Sequence, residues 1–227
     1  MKTFAIIPAG GKGLRSGHSA PKQYLKVQGK ELIAYTLEIF QSSKYIDSIV
    51  VACEPSYFNL IQKLKKKYNF SKIINVVEGG RERQHSVFNA LSSLYANKND
   101  LVVVHDADRP LLPSNVLSNA IKQAKKKGSA LTCIKARDTL LKGDETVKTY
   151  LKRDDVYYVQ TPQIFRFVDL MEAMQSAKKA KYIGTDESML VKKIGKNVHI
   201  VEGSPYNFKI TTKSDLELFK SIVKNMK

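Results

Sequence analysis

The chain has 227 residues, 43% hydrophobic and 26% charged, with 38 Lys and Arg against 21 Asp and Glu for a formal net charge of +17. That apolar fraction supplies a core and argues against wholesale disorder, while no apolar run nears the roughly 18 residues of a membrane-spanning helix. The two cysteines lack C-x-x-C spacing and the opening apolar run is too short for a signal segment, so reduced thiols in a cytoplasmic protein are expected.

In chain order, Phe4 to Pro8 reads as a buried first strand, followed by a loop to about Gln28. Leu32, Ile33, Tyr35, Thr36, Leu37 and Phe40 mark one face of a helix. Ile46 to Cys53 reads as a strand, and Phe58, Leu60, Ile61 and Leu64 as the next helix face. A strand Ile73 to Val77, a helix carrying Val87, Phe88, Ala90, Leu91 and Leu94, and a strand Leu101 to His105 follow. A helix from Asn115 to about Lys127 and a strand from Ala130 to Ile134 continue the alternation. Continuous apolar strands in β-α order predict an α/β class: a single Rossmann-like domain over 1–227, its mostly parallel sheet flanked by helices. The rhythm stops between about Arg137 and Val159, where a turn at 142–145 and strand-like Thr146 to Tyr150 predict a projecting β-hairpin arm. Helices around Phe167 to Ser176 and Asp186 to Ile194, a strand Val198 to Val201 and a helix from Thr212 complete the pattern.

The location of the charge says more than its sum. The runs Lys65–Lys67 and Lys125–Lys127 fall at helix ends, where lysines complement the helix dipole. A basic nucleic-acid-binding module is the reading from a different class. No basic tail, RNA-binding aromatic signature or zinc-finger spacing accompanies the charge, so neither a nucleic acid nor a membrane is the expected partner. The seven arginines, at 15, 81, 83, 109, 137, 153 and 166, stand out because guanidinium suits forked phosphate contacts.

After the first strand, Ala9-Gly10-Gly11-Lys12-Gly13-Leu14-Arg15 exposes backbone N–H groups able to cradle phosphate. It is not the dinucleotide fingerprint, because Ser16 stands where the last glycine belongs and Pro21 arrives before any helix. It is not a Walker loop either, since no Gly-Lys pair has the required glycine upstream. Asp106 and Arg109 fall just past the fourth strand, at the edge where open α/β sheets bind ligands. Histidines 18, 85, 105 and 199 lack metal-site spacing, and His105 reads as a hydrogen-bonded structural residue.

The loop together with Arg15 and Pro21-Lys22-Gln23-Tyr24-Leu25 resembles nucleotidyltransferases that open on G-x-G-x-R with a later Pro-Lys. Further stretches narrow the resemblance to the 2-C-methyl-D-erythritol 4-phosphate cytidylyltransferases of the non-mevalonate isoprenoid pathway. They are Gly79-Gly80 with Arg83 and Ser86 to Leu91, Val104 to Pro110, Asp138-Thr139, Gln160 to Gln163, Thr185-Asp186-Glu187, and Lys209 to Thr212 with Asp215-Leu216. The resemblance implies that CTP and a sugar-alcohol phosphate give a diphosphocytidyl product and pyrophosphate, with Mg²⁺ or another divalent cation bridging phosphate oxygens.

Arg15 and Lys22 would then stabilise the transition state, and Arg153 and Lys209 would bind and orient the acceptor phosphate. Ala9, Gly10, Gly11, Gly13, Gly80 and Ser86 would hold the nucleotide, although Ser86 equally reads as a helix N-terminal residue. Asp106 is the candidate for the metal, nucleotide or sugar hydroxyls, while Arg109, Thr139, Thr161 and Thr185 would surround the acceptor. Thr185-Asp186-Glu187 also reads simply as a cap with an acidic first turn. Arg153 lies on the arm, which in this family reaches a neighbouring site, so a homodimer is implied. Ribitol 5-phosphate cytidylyltransferases are the near alternative, but they tend toward His-Asp-Ser-Val-Arg-Pro and Thr-Asp-Ala, where this chain has Ala107 and Glu187. Gly10, Ser16, Arg81 and Asp108 depart from the family's common residues, and Asp108 sets an extra carboxylate beside the expected anion site.

Overall fold

Strands whose neighbouring residues are all apolar must be covered on both faces, and this chain is built that way. The computed structural model describes residues 1–11 and 21–225. β1 (Thr3–Pro8) leads, past a 3-10 turn at Lys22–Tyr24, to a small hairpin of β2 (Lys26–Val27) and β3 (Lys30–Glu31). Its two turn residues, Gln28 and Gly29, take φ of 50° and 77°, the left-handed pair that a tight hairpin requires. Then come α1 (Leu32–Ser42), β4 (Ser48–Cys53), α2 (Phe58–Lys67), β5 (Ile73–Glu78), α3 (Arg83–Ser92) and β6 (Leu101–Val104). The second half runs α4 (Ser114–Lys127), β7 (Ser129–Lys135), β8 (Leu141–Gly143), β9 (Val147–Tyr150), β10 (Tyr157–Arg166), α5 (Phe167–Lys179), α6 (Glu187–Lys193), β11 (Ile200–Glu202) and α7 (Lys213–Asn225).

The central sheet has seven strands in the order β11-β7-β10-β6-β1-β4-β5. All neighbours pair in parallel except β10, which runs antiparallel to both β6 and β7. Alternate residues of each strand feed two cores. Ile7, Ile49, Val51 and Val103 pack with Leu37 and Phe40 of α1, Ile61 of α2 and Ile121 of α4. Ile6, Val50, Val102 and Val104 pack on the other face with Leu91 of α3, Leu170 and Met174 of α5 and Leu190 of α6. A third cluster joins Val27, Leu32 and Ile210 to Leu216, Phe219 and Val223 of α7. Each such buried Leu, Ile or Phe contributes roughly 1.5–3 kcal/mol relative to exposure. The lysine triplets occupy the last turns of α2 and α4, and Gly128 ends α4 at φ 84°.

Two features correct the sequence reading. The hairpin β2–β3 straddles the end of the segment to about Gln28 that reads as loop, because Gln-Gly is a weaker turn signal than Asn-Gly. More consequentially, Tyr157–Arg166 is a long, largely buried strand where only a motif was seen. Its polar middle, Gln160 to Gln163 with a proline, breaks the apolar-run signal. Proline is tolerated there because the ladder with β7 skips between Val159 and Gln163. The arm is therefore shorter than the reading 137–159, since Tyr157, Tyr158 and Val159 pair with β7. What projects is the separate β8–β9 ladder, whose residues are all exposed.

Candidate active site

The C-terminal edges of β1 and β5 present glycine turns on either side of the end of β4. The Ala9 N–H donates to the Ala52 carbonyl at 2.6 Å and the Gly79 N–H to the Cys53 carbonyl at 2.8 Å. Gln23 Nε2 donates to the carbonyls of Ala9 and Gly11 at 2.7 and 2.8 Å, and the Tyr24 hydroxyl donates to Ala9 at 2.9 Å. Tyr24 in turn stacks on Tyr57 with centroids 3.9 Å apart. A Cβ on Gly10 would meet Ser86 Oγ at 3.3 Å, and one on Gly80 would meet His85 Cβ at 2.2 Å. These glycines are what the close packing of the turns requires. Ser86 Oγ accepts from the Gly80 N–H at 3.0 Å and donates to the Glu82 carbonyl at 3.3 Å, so its hydroxyl braces the turn from within α3 while lining the cavity.

That cavity, about 760 Å³, has glycine backbone on one wall and charged side chains on the other. Asp106 collects cations there. Arg83 Nε donates to its Oδ1 at 2.8 Å, Lys209 Nζ donates to its Oδ2 at 3.0 Å, and Arg109 Nε stands 3.5 Å from the same oxygen. Burial opposes ionisation of Asp106, but these cations win and hold its carboxyl well below the usual range. Arg83 also donates from NH1 to Glu187 Oε1 at 2.6 Å. Among the described residues Glu187 pairs with this cation alone, so burial prevails and raises its pKa. Lys22 Nζ lies 2.7 Å from Asp108 Oδ2 and donates to the Ile210 carbonyl at 2.6 Å.

Below Asp106 a chain of hydrogen bonds fixes its backbone. The Asp106 N–H donates to Thr161 Oγ1 at 3.1 Å, and that hydroxyl lies 3.0 Å from His105 Nδ1. His105 Nε2 is 3.1 Å from the Arg109 carbonyl. A carbonyl can only accept, so Nε2 carries the proton and Nδ1 accepts from Thr161. Burial pushes His105 down to about 4, keeping it neutral near pH 7.

This constellation, glycine turns facing ammonium and guanidinium groups, suits phosphate-bearing reactants. The family model "IspD: 2-C-methyl-D-erythritol 4-phosphate cytidylyltransferase" matches residues 3–225. The chain belongs to this family. The 2-C-methyl-D-erythritol 4-phosphate cytidylyltransferase of Bacillus cereus is 37% identical over 223 residues, covering 98% of each chain. That of Lysinibacillus sphaericus is 36% identical over 225 residues, covering 99% of this chain and 96% of the relative. The structure of 4-diphosphocytidyl-2C-methyl-D-erythritol synthase from Anaerococcus prevotii matches with a TM-score of 0.86 at 28% identity, covering 98% of this chain and 96% of that one. The cytidylyltransferase structure from Francisella tularensis gives 0.82 at 32% identity, covering 97% and 99%.

In this member of the cytidylyltransferase family, Ala9, Gly10, Gly11, Gly80, Ser86, Asp106, Lys22 and Lys209 all line the one cavity. Gly13 and Arg15 lie outside the described residues. Arg109 and Thr161 sit beneath the cavity floor: Arg109 is 9% exposed and donates from NH1 to the Asn207 carbonyl at 2.6 Å. Thr139 and Arg153 are exposed on and beside the arm, and Arg153 NH1 donates to the Arg137 carbonyl at 3.2 Å. Thr185 is exposed, with its hydroxyl on Met189 Sδ at 3.0 Å. Sequence reasoning gave no role to Arg83, which holds two carboxylates, or to Gln23 and Asn207, which fix the backbone. The available signal for Arg83 was an uncommon arginine three residues after a Gly-Gly turn. Among the described residues no group of three or more His, Cys, Asp or Glu could hold a metal ion, and no helix is long and apolar enough to cross a membrane.

Proposed function

We propose that the chain transfers the cytidylyl group of CTP to 2-C-methyl-D-erythritol 4-phosphate, a step of isoprenoid precursor synthesis. An oxygen of the acceptor phosphate attacks the α-phosphorus. A new P–O bond forms, the bond from the α-phosphorus to the bridging oxygen breaks, and pyrophosphate leaves with the electron pair. The chain's task is placement and charge stabilisation. The backbone N–H groups of Gly10 and Gly11 face the triphosphate, and Lys22, joined by Arg15, stabilises charge at the α-phosphate. Lys209, held by Asp106, receives the acceptor phosphate. The observation that most supports this reading is the convergence of Lys22, Arg83 and Lys209 on a cavity walled by glycine backbone.

Mg²⁺ fits this donor set. The cavity offers single carboxylates, chiefly Asp106, and Mg²⁺ characteristically takes one or two carboxylates with substrate phosphates and water. When bound it would neutralise triphosphate charge. Arg153 completes the acceptor site from a second copy of the chain. The exposed β8–β9 hairpin, with Leu141, Val147 and Tyr150 at 48%, 53% and 64% exposure, needs a covering surface, because a two-stranded ladder alone is marginal in water. The exposed hairpin supports a homodimer, which under this reading acts in the cytoplasm. Sedimentation of a monomer at assay concentration would remove the shared site.

Pyrophosphate release measured across four nucleotides, with methylerythritol and ribitol phosphates as acceptors, tests the whole reading. Turnover with CTP and 2-C-methyl-D-erythritol 4-phosphate is expected. Preference for another nucleotide or for ribitol 5-phosphate overturns it.

A further inference from the structure

Asp108 is 8% exposed and touches the lysine assigned to the reacting phosphate. Its Oδ2 lies 2.7 Å from Lys22 Nζ, and the same ammonium donates to the Ile210 carbonyl at 2.6 Å. The Ile210 N–H donates back to the Asp108 carbonyl at 2.9 Å. The turn carrying Lys22, the loop after β6 and the segment before α7 are therefore stitched together at one point. An ammonium has three protons; two are engaged here, which leaves one for a phosphate. A lysine held in this way does not have to be ordered again as charge develops.

The second oxygen of Asp108 has a different consequence. Oδ1 is buried without a hydrogen-bond partner among the described residues and lies 3.9 Å from Lys209 Nζ. It sets negative charge on the wall that a triphosphate must approach. Asp106 and Glu187 are absorbed by Arg83, so Asp108 is the carboxylate that directly offsets Lys22.

We propose that Asp108 is a positioning residue, which fixes the Lys22 ammonium for the reacting phosphate and weakens CTP binding in doing so. This rests on the role given to Lys22 above. The two effects have opposite signs, which loss of structure alone does not produce.

The test combines Asp108→Ala and Asp108→Asn with Lys22→Ala. Single-turnover rates at saturating substrates and calorimetric CTP binding are measured in each, with Mg²⁺ present and the acceptor omitted for binding. Asp108→Ala is expected to lower the rate about tenfold or more, the scale of a charge-assisted hydrogen bond, while CTP binds several-fold more tightly. Asp108→Asn keeps an acceptor for the ammonium, so it should recover most of the rate and retain the tighter binding. In the Lys22→Ala background the rate effect should vanish, since no ammonium remains to be held. An equal rate loss in both backgrounds, or weaker CTP binding in Asp108→Ala, overturns the proposal. A near-normal rate in Lys22→Ala alone removes the role of Lys22 itself. A crippled Lys22→Ala beside an unaffected Asp108→Ala removes only that of Asp108. Should Asp108→Ala fail to fold, the isosteric Asp108→Asn decides the matter, because CTP affinity unchanged from the natural protein is then the contrary result.

Discussion

Glu187 carries the charge balance of the cavity back into the core. It is 1% exposed, one oxygen rests on Arg83 and the other has no partner among the described residues. Removing one member of a buried pair leaves an uncompensated charge at a cost of about 3–5 kcal/mol. Arg83→Ala should therefore lose stability on that scale in urea unfolding, whereas Glu187→Gln, which keeps an acceptor, should lose much less. His105 gives a pH signature. Its folded pKa, about 4, lies below an unfolded value near 6.5, so between these the unfolded chain binds more protons and stability falls as pH falls. The loss should be on the order of 2 kcal/mol by pH 5, seen as a falling Tm in metal-free buffer. His105→Gln should flatten that part of the profile. At this scale Lys22, Asp106 and Lys209 were legible as charges beside recognisable motifs. Arg83 and Glu187 were legible only as motif members, because their partnership spans 104 positions and a sequence shows no such contact.

Among the elements, α7 works at a distance from the chemistry. Phe219 is fully buried and meets Tyr35 edge-on at 5.2 Å, seating the helix that follows Lys209. Phe219→Ala should destabilise by about 3–5 kcal/mol. By loosening residues 209–211 it should also raise KM for the alcohol phosphate more than KM for CTP in steady-state assays. Most elements were readable because their apolar residues repeat at period 3.6 or run unbroken, as in α1, α4, β1 and β6. β10 was not, because polarity and proline are its functional content. Gln160 donates to the Ser204 carbonyl, Thr161 supports Asp106, and Gln163 holds Asp186 and Ser188 at the start of α6. Side chains that satisfy one another inside the protein look, in sequence, like a surface loop.

For the molecule as a whole, the formal charge of +17 resolves into two populations. Many lysines lie on the solvated surface, among them the triplets in the last turns of α2 and α4, while a few cations enter the cavity with carboxylate partners. The first group still sets a positive field around the molecule. kcat/KM for CTP should therefore fall as ionic strength rises, while kcat at saturation stays nearly level, because screening acts on encounter more than on groups inside the cavity. A salt-independent kcat/KM would assign the surplus no part in substrate capture.

The scatter of the cavity's residues along the chain also bears on how the protein is made. Lys22, Arg83, Asp106 and Lys209 converge from positions 22 to 209, and Lys209 is seated by a helix that closes at Asn225. A ribosome emits residues from the N-terminus, and early segments can begin to order while the rest is still attached. The four parallel strands β1, β4, β5 and β6 are available by residue 104, but the acceptor lysine and its supporting helix emerge about 100 residues later. A nascent chain can thus hold much of its sheet before the acceptor lysine has been made, so turnover waits for the synthesis of α7.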